Sequence, residues 1–249
     1  MVTEHSFRDR LLILIDNLTL YLRVASLYSG GKDSTFAILR AKEMGHHVVC
    51  LISIHSLVDD SLLFHYPNNW ITRYLADTMQ IPIMVFSVKS RNKDDEMRVL
   101  EEALIQVKSL FMVEGVLHGG ISSNYQRQAF EDVCTRQGLA AVAPLWGIES
   151  LSYMNELVEC GFHVMIVGVS AMGLDKEWLG RILDKNAMSK LASLSKKYGF
   201  NLTFEGGEAE TLVIDCPLFR KRLEIKKANT RWDGQRGMFE ILEVELVDR

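Results

Sequence analysis

Ser29-Gly30-Gly31-Lys32-Asp33-Ser34 stands between an apolar run, Val24-Ala25-Ser26-Leu27-Tyr28, and a helical pattern, Thr35-Phe36-Ala37-Ile38-Leu39-Arg40-Ala41. A strand, a glycine turn and a helix start, in that order, make an anion site. The glycines let the backbone approach a phosphate, the N–H groups of the first helical turn point at it, and the helix dipole favours its charge. Lys32 adds a mobile positive charge, and Ser29 and Ser34 add hydroxyl donors. The spacing is not that of G-x-x-x-x-G-K-[ST], because Ser26 and Asp33 stand at two of its fixed positions, nor is it G-x-G-x-x-G. The hexapeptide predicts a nucleotide-phosphate loop of another kind.

Strand-like runs alternate with helical periods on either side of this loop. The strands are predicted at Val24–Tyr28, His47–Ile54, Ile83–Val88, Gly115–His118 and Ala140–Ala143. Between them Phe36 to Met44 is amphipathic, Trp70, Ile71, Tyr74 and Leu75 recur at helical spacing, and so do Met97, Leu100, Leu104, Val107 and Phe111. The alternation predicts an α/β fold, a mostly parallel doubly wound sheet with helices on both faces. Ligands on such sheets bind beyond the C-terminal ends of the strands, near a topological switch point. The loops Ser29–Ser34, His55–Asn69 and His118–Arg127 should therefore converge. After Pro144-Leu145-Trp146-Gly147 the pattern changes. A helix through Leu151, Met154 and Leu157 precedes the apolar strand Val164–Val169. A longer helix carrying Trp178, Ile182, Leu183, Ala187, Leu191 and Leu194 ends at Gly199. Strands at Thr211–Ile214, Arg222–Lys226 and Phe239–Val247 follow. The domains are read as 23–147 for the nucleotide and 148–249 as a smaller α+β part, after an N-terminal extension at 1–22.

The 249 residues are 48% hydrophobic and 24% charged, enough to bury a sizeable core. A net charge of −4 argues against a broad nucleic-acid surface. Cys50, Cys134, Cys160 and Cys216 are scattered, with no C-x-x-C, so they read as buried free thiols in a reducing cytoplasm. Leu11–Ile15 after Arg8 and Arg10 imitates a secretory signal, but Asp16 and Asn17 interrupt it and no small-residue cleavage site follows. No stretch reaches the roughly 18 apolar residues of a membrane span.

The second unusual segment is Phe204-Glu205-Gly206-Gly207-Glu208-Ala209-Glu210-Thr211. Three carboxylates in six residues repel one another unless something cationic binds. A metal, a cationic substrate and a solvated acidic turn all fit the spacing. The form S-G-G-K-D-S resembles the pyrophosphate-binding loop (PP-loop) of N-type ATP pyrophosphatases, which adenylate a substrate by cutting ATP between the α and β phosphates. Together with E-G-G-E-A-E-T at 205–211 it resembles the diphthine–ammonia ligase (diphthamide synthetase) family. Gly120–Arg127, Pro144–Gly147, Val169–Asp175, Trp178-Leu179-Gly180 and Trp232-Asp233-Gly234 match in the same order, over roughly residues 23–247. Ala209 departs from the family's usual aromatic residue.

The resemblance implies an adenine nucleotide alpha hydrolase-like fold and the last step of diphthamide synthesis on translation elongation factor 2. ATP adenylates the carboxylate of diphthine, a modified histidine bearing a trimethylammonium group, and ammonia from ammonium displaces AMP. The same resemblance puts ATP on Ser29, Gly30, Gly31, Lys32, Asp33 and Ser34; His118, Gly119 and Gly120 end a strand beside this loop and read equally as adenosine contacts or as a simple βα turn. Lys32 and Mg²⁺ would offset charge on the leaving pyrophosphate. Asp33 would assist Mg²⁺ or cap a backbone donor. Glu205, Glu208 and Glu210, with Gly206 and Gly207, suit a quaternary ammonium or an ammonium ion, and Tyr125 and Gln126 match substrate positions. Lys32, Asp33, Glu205 and Glu208 are the catalytic candidates.

The remaining features admit plainer readings. His65 lies where substrate would enter but reads equally as a loop histidine. Trp146, Trp178 and Trp232 read as packing. The basic run from Arg220 and Lys221 through Arg222, Lys226, Lys227, Arg231 and Arg236 reads as a solvated face or a docking face for an acidic partner. The sequence leaves a homodimer open. Two other functions compete: a PP-loop enzyme adenylating tRNA bases, opposed by the absent C-x-x-C and the acidic charge, and a non-enzymatic ATP- or AMP-sensing module, which would bind without releasing pyrophosphate.

Overall fold

The computed structural model describes residues 21–56, 68–89, 92–122 and 124–249, the side chains of residues 93 and 124–126 excepted. The N-terminal extension at 1–20, most of the His55–Asn69 loop with His65, and the side chains of Tyr125 and Gln126 lie outside the described residues.

Among the described residues the first sheet has strands β1 (Arg23–Leu27), β2 (His47–Ser56), β3 (Ile83–Val88), β4 (Gly115–Leu117) and β5 (Ala140–Val142), in the order β3-β2-β1-β4-β5. Each neighbouring pair is parallel. The chain runs outward from β1 to β3, then returns to β4 on the other side of β1. That reversal makes the crevice beyond the ends of β1 and β4 the switch point. Helices α1 (Lys32–Glu43), α2 (Thr72–Met79, after a 3₁₀ turn at Asn69–Ile71), α3 (Lys93–Phe111) and α4 (Asn124–Arg136) connect the strands. Successive side chains of β1 serve opposite faces, as a pleated strand requires. Val24 packs with α1 residues Phe36 and Ile38, whereas Ala25 packs with Leu100, Leu104 and Val107 of α3 and Val133 of α4.

The later residues form α5 (Ser150–Glu159), β6 (His163–Val169), α6 (Lys185–Tyr198), β7 (Ala209–Asp215), β8 (Lys221–Trp232) and β9 (Gly237–Asp248). Their four strands make an antiparallel sheet in the order β7-β6-β9-β8. Its buried face shares one hydrophobic core with the α1 face of the first sheet, joining Phe36 and Leu117 to Tyr153, Ile166 and Leu212. Polar ties reinforce the junction. Thr78 Oγ1 of α2 accepts from Lys221 N at 2.8 Å, and Gly30 O accepts from Val213 N at 2.9 Å.

Most predicted elements agree with the structure to within a residue or two; the long helix before Gly199 does not. Trp178 ends a separate 3₁₀ turn (Lys176–Trp178), and α6 starts at Lys185, where the Asp184 carboxylate accepts from Ala187 N. Residues 180–183 between them pair with β6: Gly180 N donates to Ile166 O and Leu183 N to Val164 O, both at 2.8 Å. Ile182 suits a helix face and a strand face equally, and here the open edge of β6 takes it. The hairpin β8–β9 is also longer than predicted, because β8 runs on from Lys227 to Trp232 and pairs with β9 from Glu243 back to Gly237.

Candidate active site

β1 delivers its backbone into a left-handed Gly30, φ 81°, a conformation that penalises any Cβ. The turn is braced from within. Gly31 N donates to Ser29 Oγ at 3.3 Å, Ser29 N donates to Ser34 Oγ at 3.3 Å, and Thr35 Oγ1 donates to Gly31 O at 2.8 Å. α1 then begins with Gly31 as its N-cap. The first amides of a helix have no intrahelical acceptor, and the one on Lys32 is taken by Thr211 Oγ1 of β7 at 3.2 Å.

Lys32 is not the mobile cation that the sequence predicts. Its side chain is 2% exposed, and its ammonium donates to Asp33 Oδ2 at 2.8 Å and to Thr203 O at 2.5 Å. The Phe204 ring lies 5.5 Å from it. The burial follows from the second part of the chain packing over the loop: Thr203 and Thr211 reach acceptors to the lysine that no local pattern contains. Asp33 Oδ1 accepts in turn from the Tyr153 hydroxyl at 2.7 Å. Tyr153 is fully buried on α5, whose start is fixed by the Glu149 carboxylate accepting from Leu151 N and Ser152 N. Burial and the Asp33 carboxylate hold the Tyr153 phenol well above its ordinary range, so it stays a donor. Sequence reasoning missed Tyr153; its helical spacing with Leu157 signals only a core position.

Asp33 is a poor site for Mg²⁺. One oxygen faces the Lys32 ammonium, which repels a second cation, and the other is bound by Tyr153. Among the described residues no three His, Cys, Asp or Glu side chains are grouped to hold a metal. The described residues do not fit a resident ion.

β4 ends at the neighbouring loop. His118 is 4% exposed, and its Nδ1 accepts from Gly120 N at 3.2 Å. A neutral ring with Nδ1 as acceptor carries its proton on Nε2, and Nε2 has no partner among the described residues. Burial lowers the His118 pKa, with Arg127 adding to the shift and Glu131 opposing it, so the neutral ring is favoured. Gly119 presses on the start of α1: a Cβ there would lie 2.6 Å from Asp33 C and 2.7 Å from Asp33 O.

The acidic segment divides on inspection. Glu205 reaches across to the β4–α4 loop, where its carboxylate accepts from Ile121 N at 2.6 Å, Ser122 N at 2.9 Å and the Ser122 hydroxyl. Glu208 folds back to accept from Asn201 N at 2.9 Å and Gly206 N at 2.8 Å. Glu210, on β7, has no hydrogen-bond partner among the described residues, and loss of hydration raises its carboxyl to about 7, with Asp33 adding to the rise and Lys32 opposing it.

These loops face a cleft of about 1160 Å³. Ser29, Asp33 and Ser34 line it from one side, His118, Gly119 and Gly120 from the next, and Glu205, Gly206, Gly207, Ala209 and Glu210 from the opposite side. Gly30, Gly31 and Lys32 are buried behind the loop and do not line it, and neither does Glu208. Asn69 marks where the His55–Asn69 loop returns to the cleft. The tip of the β8–β9 hairpin closes a further wall with Arg231, Trp232 and Arg236, a place in the site that the matched Trp232-Asp233-Gly234 segment marks but its position in the chain does not. Within the basic run, Lys226 pairs with Glu224 and Glu245 and Arg231 with Glu240, so β9 carboxylates offset part of that charge. Trp178 is buried, Trp232 packs half-buried against the core, and Trp146 lies under the Arg127 guanidinium at 4.5 Å.

Family models described as the diphthamide synthase N-terminal and C-terminal domains match residues 22–141 and 149–247. The human protein named diphthine–ammonia ligase is 34% identical over 220 residues, covering 81% of this chain and 82% of its own. The zebrafish (Danio rerio) protein of the same name is 34% identical over 227 residues, covering 84% and 88%. The Schizosaccharomyces pombe relative is 31% identical over 81% of this chain but far longer, so that only 36% of it is covered. A solved structure titled as a predicted subunit of a tRNA methyltransferase from Methanocaldococcus jannaschii overlaps 78% of this chain and 97% of its own, at 15% identity and a TM-score of 0.44. With both halves of the chain matched by that family's two domains, and the two matched halves meeting at one cleft, the chain belongs to the diphthamide synthase family and is a ligase.

Proposed function

We propose that the protein amidates diphthine on translation elongation factor 2, consuming ATP and ammonium and releasing AMP and pyrophosphate. The observation that carries this reading is that the S-G-G-K-D-S loop and the acidic two-glycine segment, 179 residues apart at the Lys32–Thr211 bond, face one cleft and are bonded to each other. A ligase that activates a carboxylate needs an anion cradle and a cation-tolerant wall within reach of one acyl group, and the cleft supplies both.

In this reading the diphthine carboxylate attacks the α-phosphorus of ATP, pyrophosphate leaves, and ammonia then attacks the acyl carbon while AMP departs. Ser29, Ser34 and the first turn of α1 receive the pyrophosphate. Lys32 acts from behind the loop, as a fixed positive charge beneath developing negative charge. The unpartnered His118 Nε2–H is a donor for the nucleotide, and Gly119 keeps its loop against α1. Gly206, Gly207 and Glu210 form the substrate wall, which Glu205 and Glu208 brace through their backbone bonds, and by the family resemblance Tyr125 and Gln126 are further substrate residues. The domains at 23–147 and 148–249 act together, and the four free thiols suit a reducing cytoplasm. No helix among the described residues is long and apolar enough to cross a membrane.

The test is incubation of the protein with diphthine-bearing elongation factor 2, ATP, Mg²⁺ and ammonium, followed by mass measurement on the factor and identification of the nucleotide product. Conversion of the acid to the amide with stoichiometric AMP supports the proposal. ADP as product, or nucleotide binding with no change in the factor, refutes it.

A further inference from the structure

Glu205, Glu208 and Glu210 look equivalent in the sequence, yet the fold gives them different work. Glu205 spends its oxygens on Ile121 N, Ser122 N and the Ser122 hydroxyl. Glu208 spends both of its oxygens on Asn201 N and Gly206 N. Carboxylates whose oxygens are taken up by the protein's own donors are not presented to a small ligand in the cleft. Glu210 sits opposite Gly168 in the β6–β7 ladder, where the absence of a side chain leaves room: a Cβ at Gly168 would come within 3.1 Å of Glu210 Cβ. Both residues line the cleft.

Building on the function proposed above, we infer that Glu210 is the proton acceptor that turns ammonium into attacking ammonia. Ammonium gives one proton to the Glu210 carboxylate, leaving neutral ammonia with a free electron pair. That pair forms the C–N bond to the acyl carbon, and the bond from the acyl carbon to the phosphate oxygen breaks, its electrons leaving with AMP. The second proton lost from the new C–N nitrogen, and later the one on Glu210, pass to water.

The other ionisable groups at the cleft are committed elsewhere: Asp233 Oδ1 accepts from Gln235 N and Arg236 N, which hold its carboxyl below the ordinary range, and burial pushes the Tyr28 phenol well up, so that it keeps its proton. Asp33 holds Lys32 and Tyr153, Glu205 holds the β4–α4 loop, and His118 offers Nε2 as a donor because Nδ1 is engaged. Arg231 and Arg236 on the hairpin carry guanidinium groups, which have donors and no acceptor atom. Desolvation sets the Glu210 carboxyl near the working pH, where a general base is most effective.

Hydroxylamine tests this, because it is already neutral at pH 7 and needs no base, whereas ammonia in solution is almost wholly ammonium. Amidation by each nucleophile is measured in the wild type and in Glu210→Gln, alongside exchange of labelled pyrophosphate into ATP in the presence of the protein substrate. Loss of a general base predicts that the ammonium reaction of Glu210→Gln falls about 100-fold, with the hydroxylamine reaction falling far less. The wild-type ammonium rate should rise through pH about 7, as Glu210 ionises. In the variant it should climb steadily with the free-ammonia fraction instead. Because both nucleophiles are compared on the same folded variant, the ratio is independent of its stability. Equal losses for the two nucleophiles, or an unaffected ammonium rate, overturn the role of Glu210 while leaving the proposed function standing. No pyrophosphate exchange and no product with either nucleophile in the wild type overturns both.

Discussion

Replacing Lys32 with Met removes the ammonium while keeping most of the apolar stem that the core packs around. The substitution strands Thr203 O in a site where its residue is 1% exposed, and it deletes the Asp33 ion pair. A hydrogen bond to a charged donor contributes about 1.5–3 kcal/mol. The ion pair adds up to about 1 kcal/mol, discounted because the Asp33 side chain is 31% exposed to screening solvent. The sum, about 2–4 kcal/mol, corresponds to a fall in Tm of about 5–15 °C for a chain of this size. Circular dichroism melts of Lys32→Met and wild type, at matched concentration and without nucleotide, measure it. The sequence alone places Lys32 on the ligand and predicts a variant that is inactive but fully stable. The structure predicts one that is both inactive and less stable. A Tm within about 2 °C of wild type would refute the claim that this ammonium joins the two parts of the chain.

Glu205→Gln keeps the size but turns an amide NH₂ toward donors at Ile121 and Ser122, so it should cost about 1–3 kcal/mol. Calorimetry should show ATP and protein substrate weakened alike; selective loss of the protein substrate would restore Glu205 as a direct contact. Gly119→Ala forces a Cβ to within 2.8 Å of the Ser34 amide nitrogen, and overpacking against backbone should cost about 1–3 kcal/mol and displace the phosphate loop. Unchanged nucleotide affinity in that variant would show that the loop adjusts freely. Burial pushes the thiols of Cys50 and Cys216 up to about 12 and that of Cys134 to about 11, so almost no thiolate exists there at pH 8. Brief alkylation of the native protein at that pH should label the half-buried Cys160 first, and peptide mass mapping that finds Cys50, Cys134 or Cys216 labelled at the same rate would contradict the packing.

The sequence by itself determined the class of fold and the position of the glycine loop at the end of its first strand. Alternating apolar strands and amphipathic helices report local burial, and local burial suffices to predict a parallel sheet with a phosphate loop at the end of β1. The glycines at 30 and 31 could be placed in a turn because their conformational role is local. What the sequence could not decide were contacts between residues far apart in the chain. Glu205, Glu208 and Glu210 carry the same charge within one short segment, and only Ile121, Ser122 and Asn201, brought near by folding, separate two structural carboxylates from one left free. Lys32 turns away from the cleft because Thr203 offers it a carbonyl across 171 positions, and Tyr153 finds Asp33 across 120. Residues 180–183 follow the same rule: their pattern fits helix or strand, and the open edge of β6 chose strand. Periodicity encodes which face of an element is buried, whereas the partner of a polar group depends on which surfaces the tertiary fold closes over it.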